Sequence, residues 1–106
     1  MKVGVLALQG DFDRHRKALA RVRASADRFL VHLDVDVVDF FDLPVADIPL
    51  HNEGLTFDEA MRCLTVFVRN KGLAGLTITE FNPDHGAEDG STTDTLVRGL
   101  VGALAG

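Results

Sequence analysis

Residues 29–42 read FLVHLDVDVVDFFD. The first nine, Phe29 to Val37, are mostly β-branched, aromatic or aliphatic and contain no glycine or proline, the composition of a strand. Four aspartates, Asp34, Asp36, Asp39 and Asp42, then fall within nine residues. Charge that dense at the end of an apolar run either serves a cation or meets water as the strand ends. Residues two apart on a strand point to the same face, so Asp34 and Asp36 direct both carboxylates beyond the strand's C-terminal end. That end is where open α/β sheets bind ligands, and carboxylates suit a hard divalent ion such as manganese or magnesium.

Working outward, Val3 to Leu8 is a second apolar run, as expected for a strand buried on both faces of a parallel sheet. Gly10 follows, Asp11 is a candidate N-cap, and Phe12, His15, Ala18 or Leu19, and Val22 recur at helical spacing, predicting a helix over about 12–24 with its arginines on the other side. A long connection of about 40–55 contains Pro44 and Pro49. Thr56 and Glu59 have the spacing of a capping box, with Leu55 placed to staple onto Ala60. Met61, Leu64, Phe67 and Val68 form the apolar face of the helix that follows, and Gly72 reads as its C′ glycine. Leu73 to Phe81 is the third strand, stopped by Asn82-Pro83. After a polar loop, Ser91 and Asp94 read as another capping box, opening a helix with Leu96, Val97, Leu100, Val101 and Leu104 on one face. The order βαβαβα defines an α/β protein with a three-stranded parallel sheet flanked by helices, a Rossmann-like or flavodoxin-like half domain with right-handed crossovers. Because the strands are apolar throughout, helices are expected on both faces of the sheet.

The 106 residues argue for a single α/β domain. A hydrophobic share of 46% with 25% charged residues is ordinary for a globular chain. No apolar run reaches the length of a membrane span, and no signal peptide is read after Met1. A single cysteine, Cys63, forms no internal disulfide and no cysteine metal cluster; its place amid a helix makes it a buried structural thiol rather than a nucleophile at a strand-to-helix elbow. These features fit the cytoplasm. The net charge of −5 argues against nucleic acid as a partner. The charge is uneven: residues 1–28 carry seven basic side chains against three acidic, and the remainder four against thirteen. The basic Arg14, Arg16, Lys17, Arg21 and Arg23 read as a solvated face.

Three segments, FLVHLDVDVVDF, NEGLTFDEA and GLAGLTITEFNPDHG, in this order and spacing, resemble the C-terminal part of the ureohydrolase family of arginases, agmatinases and formiminoglutamases, over about residues 27–105. The family's enzymes use manganese and have a doubly wound α/β fold. The resemblance implies that Asp34 and Asp36 are metal ligands and that Glu80, in Glu-x-Asn-Pro, is the residue that meets a substrate guanidinium, a pairing that favours bidentate hydrogen bonds. The opening, MKVGVLALQGDFDRHRKAL, is similar to the start of the glutaminase subunit of pyridoxal phosphate synthase, a flavodoxin-like class I amidotransferase, over about residues 1–20. Gln9 and Gly10 match a loop of that family. The charge break near residue 28 falls where the two resemblances meet, so residues 1–26 read as a glutaminase-like βα unit joined to a ureohydrolase-like βαβα segment over 27–106: a recombined or engineered chimera.

The ureohydrolase site also takes an upstream histidine and an Asp-x-His-x-Asp segment, and no such segment occurs in these residues. Two ligands do not fix the pair of metals that makes and holds an attacking hydroxide. Asp34, Asp36 and Glu80 therefore read as remnants of a site, with no catalytic residue, no resident cofactor and only weak manganese or magnesium binding. His32, His51 and His85 are read as surface or satisfied core residues. The leading expectation is a non-catalytic hybrid domain; the alternative is a manganese-dependent amidino hydrolase or a fragment of one, completed by a partner chain. A small sheet with two open edges further implies a homodimer.

Overall fold

In the computed structural model, residues 3–7, 12–47 and 54–105 are described, with the backbone course alone for 3–7, 12 and 13. The elements are β1 (Val3–Ala7), α1 (Phe12–Ser25), β2 (Arg28–Asp34), α2 (Phe57–Val68), β3 (Leu73–Thr79) and α3 (Ser91–Leu104), with a 3₁₀ turn at Val35–Val37 after β2. The expected α/β order is found. The readings on Leu8, Gln9, Gly10, Asp11, Pro49 and His51 lie outside the described residues.

The three strands are parallel, in the order β1-β2-β3. Val5 pairs with Leu30 and Ala7 with His32 on one side of β2, and Leu33 with Ile78 and Asp34 with Thr79 on the other. Each strand is thus added beside the last in one direction. With right-handed crossovers, that order places α1 and α2 on the same face. Accordingly α1 packs on α2, and α2 on α3, as one helical layer.

The expectation of helices on both faces is therefore corrected. Along β2, Phe29, Val31 and Leu33 are buried against the helices, while Leu30, His32 and Asp34 on the opposite face stay exposed or half-buried. The apolar run is continuous in sequence, but among the described residues only one face of it is covered. Phe29, Leu33, Leu64 and Phe67 are among the largest fully buried side chains of the core. Cys63 is buried with them in α2, and His15 of α1 tilts its ring against Phe67, the centroids 5.2 Å apart.

The α2 capping box forms in full. The Glu59 N–H donates to Thr56 Oγ1 at 3.1 Å, and the Thr56 N–H to Glu59 Oε1 at 3.1 Å. Such a cap contributes about 1 kcal/mol. Ala60 belongs to the hydrophobic core, and Leu55, partly buried, packs against it. Two other end signals read differently. The C-cap of α2 is Arg69, three residues before Gly72, so Gly72 is not its C′ glycine. Gly72 instead lies against the Arg23 guanidinium and 3.1 Å, measured from where a Cβ would sit, from the Asp27 carbonyl oxygen, so a larger residue there would displace the flexible Arg23 side chain. Ser91 is the first residue of α3, not its cap; Gly90 holds that position with φ 82°, and no side chain caps it. Asp94 pairs with Arg98 one turn on, at 2.8 Å.

Candidate functional site at the carboxyl ends of β2 and β3

The four aspartates of the opening stretch have separate fates. Asp34 is the last residue of β2 and Asp36 lies in the 3₁₀ turn, because the chain leaves the strand earlier than the apolar run implies. The Asp36 N–H donates to Asp34 Oδ1 at 3.0 Å. Asp34 and Asp36 are thus joined by a side chain capping a turn rather than by the pleat of one strand. Asp39 Oδ1 accepts from the Phe41 N–H at 3.0 Å, closing its own turn. Asp42 Oδ2 accepts from the Phe57 N–H at 2.7 Å, at the start of α2.

Asp36 is electrostatically tied to its neighbours. Burial pushes its carboxyl above the usual aspartate range, and a hydrogen bond with Asp34, the charge of Asp34 and the charge of Glu80 push in the same direction. A carboxyl raised by two other carboxylates sits where negative charge is concentrated, and that environment favours a cation.

Glu80 follows β3 immediately and is exposed. Its φ is 65°, the left-handed region, and it is the only non-glycine residue with positive φ among those described. Asp34 pairs with Thr79 in the sheet, so Glu80 leaves β3 beside the point where the aspartates leave β2. On the open face behind them, His32 Nδ1 lies 2.8 Å from Thr77 Oγ1 and Nε2 lies 3.3 Å from Thr79 Oγ1. His32 is engaged with β3 rather than aimed at the carboxylates. His85 Nδ1–H donates to the Ala46 carbonyl at 2.7 Å, and the Phe40 ring meets the His85 ring edge-on at 5.6 Å. Both histidines are satisfied by hydrogen bonds, in keeping with the sequence reading, but their particular partners have no local signal, since these lie more than thirty residues away.

Among the described residues, no group of three or more His, Cys, Asp or Glu is placed to hold a metal ion. Asp34 and Asp36 are hard oxygen donors that fit one side of a divalent cation's shell; Glu80 adds charge but does not complete a ligand set. The basic side chains of α1, Arg14, Arg16, Lys17, Arg21 and Arg23, are exposed on the helix face turned from the core. No helix among the described residues is long and apolar enough to cross a membrane.

The fold and site define an α/β protein with acidic residues at the carboxyl ends of adjacent parallel strands. The Arginase family matches residues 7–105, and the chain belongs to that family. No curated protein matches the sequence. Among solved structures, the chain is similar to formimidoylglutamase from Bacillus subtilis subsp. subtilis str. 168, with a TM-score of 0.73 and 23% identity, covering 87% of this chain and 28% of that one. It is similar to the arginase from Bacillus caldovelox, with a TM-score of 0.73 and 22% identity, covering 90% and 31%. The agmatine ureohydrolase of Thermoplasma volcanium aligns with a TM-score of 0.63 and 18% identity, covering 89% and 30%. These likenesses concern the fold, and the chain spans about three-tenths of each of these structures.

The family match corrects the two-part reading of the sequence. It begins at residue 7 and runs unbroken through the joint placed near residue 26. One family accounts for α1, β2 and everything after them, so the glutaminase likeness and the chimeric origin find no support. A buried apolar strand followed by a glycine and a helix is common to most parallel α/β proteins, so the run Val5-Leu6-Ala7-Leu8-Gln9-Gly10 carries little information about descent.

Proposed function

We propose that this chain carries the Asp-x-Asp and Glu-x-Asn-Pro part of a ureohydrolase site, acting on an amidino or guanidino substrate. The observation that supports the reading is the convergence of the chain at the ends of β2 and β3, where Asp34 pairs with Thr79 in the sheet, Asp34 caps the turn that holds Asp36 and Glu80 leaves β3 next to them, in a chain of the arginase family. Asp34 and Asp36 would hold a divalent ion, manganese before magnesium on the family's pattern, and the bound ion would supply activated water. Glu80, exposed beside them, would accept hydrogen bonds from the substrate's guanidinium. With two protein oxygens on the metal, the remaining ligands come from outside these residues, and the chain by itself binds the ion weakly.

Manganese titration followed by NMR tests this reading. Mn²⁺ should broaden the Asp34 and Asp36 carboxyl signals first, and the Asp34→Ala/Asp36→Ala double variant should abolish that selective broadening. Broadening spread evenly over the sixteen acidic side chains, or unchanged in the double variant, would remove the assignment. The chain alone with excess Mn²⁺ should release no urea from arginine or agmatine. Turnover would mean that the described carboxylates are joined by ligands within this chain.

A further inference from the structure

The left-handed backbone of Glu80 is held by something. A non-glycine residue at φ 65° is strained and persists only where its surroundings over-determine it; such residues gather where a side chain must be aimed. The surroundings here are a short antiparallel contact between the loop at 45–47 and the segment at 80–82, centred on the Ala46–Phe81 bridge. The Asp47 N–H donates to the Glu80 carbonyl at 2.7 Å, and the Asn82 N–H donates to the Val45 carbonyl at 2.9 Å. Asn82 Nδ2 then donates to Asp47 Oδ1 at 2.9 Å, while Asn82 Oδ1 accepts from the Asp84 N–H at 2.8 Å. The amide can satisfy both partners in one orientation only, with nitrogen to the carboxylate and oxygen to the N–H.

We propose that Asp47 and Asn82 are positioning residues: their side-chain hydrogen bond locks the 45–47 loop to the end of β3 and holds Glu80 in its left-handed conformation, which sets the direction of the side chain. The guanidinium-facing role of Glu80 rests on the function proposed above; the clamp itself does not. The chain closes a ring of bonds around the strained residue. Asp47 grips the Glu80 carbonyl through its backbone and Asn82 through its side chain, so Glu80 is bracketed two residues downstream and across the loop. Breaking the side-chain bond leaves the Asp47 N–H as the lone tether on Glu80 from that loop residue, and the residue can relax toward negative φ. His85, donating to the Ala46 carbonyl, braces the same loop from the far side.

The test uses the isotope-labelled chain. A residue with φ near +65° brings its own N–H and Hα close together, so Glu80 should show a strong intraresidue N–H to Hα nuclear Overhauser effect, well above that of Thr79. Asn82→Asp removes the donor and sets two carboxylates face to face. The Glu80 signal should then fall to the level of Thr79, and exchange of the Asp47 amide should speed up by about tenfold. The exchanged pair Asp47→Asn with Asn82→Asp rebuilds the bond with reversed polarity and should restore both. Asp47→Ala, which loses the bond without adding charge, serves where Asn82→Asp fails to fold. A strong Glu80 signal that survives Asn82→Asp or Asp47→Ala, or an exchanged pair that restores nothing, overturns the clamp. Agmatine titration of the unmodified chain addresses the other layer: shifts of the Glu80 amide that are lost in the broken variants and regained in the exchanged pair support positioning for a guanidinium. A Glu80 shift on agmatine of equal size in all variants overturns it, whatever the Overhauser signals show.

Discussion

Asp42 Oδ2 accepts the Phe57 N–H at 2.7 Å across fifteen residues, so α2 is capped at its start by a side chain from the far end of the preceding connection. The chain between them is drawn back by the parallel bridge of Val38 with Leu55 and by the Asp39 N–H donating to the Leu55 carbonyl at 2.7 Å. A carboxylate at a helix N-terminus gains from both the unpaired N–H and the helix dipole. Asp42→Ala should cost about 1 kcal/mol, comparable to Thr56→Ala, since each removes one acceptor from the first turn. Urea unfolding of the two single variants and the double decides it. An Asp42→Ala variant as stable as the parent would mean that the bond does not hold in solution.

The two caps of α2 also separate what the sequence discloses from what it hides. Thr56 and Glu59 stand three residues apart and meet whenever a helix starts there, so the pattern is local and legible. The Asp42 cap depends on a tertiary bridge, and no spacing announces it. The pattern fails at Ser91 and Asp94 because Asp89 Oδ1 already accepts the Ser91 N–H at 2.9 Å, and Gly90 turns the chain before the helix opens. Likewise Phe29 to Val37 reads as one strand, but the Asp34 side chain bonds the Asp36 amide and ends the strand at Asp34. The Asp-x-Asp and Glu-x-Asn-Pro motifs were legible because each is a chemical pattern at a strand end. The glutaminase likeness of the first residues finds no support because an apolar strand and an arginine-rich helix carry fold information and little family information, and the family match covers this part from residue 7 on. Strand order, and with it the bare face of the sheet, is a three-dimensional fact that alternation of elements does not encode.

Glycine should reverse its usual rank at residue 80. At an ordinary position with negative φ, glycine is less stable than alanine by roughly 0.5–1 kcal/mol. At φ 65° a Cβ is penalised by about 1–2 kcal/mol. Glu80→Gly should therefore be more stable than Glu80→Ala, by about 1 kcal/mol, in urea unfolding. Equal stability, or alanine ahead, would show that residue 80 does not occupy the left-handed region.

Asp36 sets a specific pH signature. Its carboxyl is raised above the usual aspartate value of 3.8, first by burial and then by Asp34 and Glu80. The folded state then holds a proton that the unfolded state has released, across the window between 3.8 and the raised value. Stability from this group is greatest below that window and is lost as pH rises through it. Glu59, held low by its bonds with Thr56, and Asp89, held low by Ser91, act with the opposite sign and lose stability as pH falls. Asp36→Asn should therefore remove a loss of stability on raising pH through the acid range, and leave the contributions of Glu59 and Asp89. Unfolding curves from pH 3 to 7 for parent and variant give the difference; a variant that loses less stability than the parent on acidification would mean that Asp36 is held low, not high.

The uncovered side of the sheet leads us to propose that this chain pairs with a second copy. Leu30 on the open face of β2 is 37% exposed, and on the edge strand β3 Ile78, in register with Leu33 on the helix side, is 40% exposed. Val97, Val101 and Leu104 of α3 are also exposed, recurring one helical turn apart along one side. β1 and β3 are both edge strands, since the sheet has the order β1-β2-β3, and an open edge is a template for another strand. A two-fold dimer would bury self-complementary apolar surface, by sheet edges or by exchange of an element through the connection between β2 and α2. Light scattering should give twice the chain mass of 11.5 kDa, falling toward one chain on dilution. Leu30→Lys tests the sheet face and Val101→Lys the helix, and each puts a charge into the interface only if that surface forms it. The variant that shifts the mass toward the monomer at a given concentration identifies the interface. A monomer at all concentrations with cooperative unfolding would show that a single covered face suffices for this sheet.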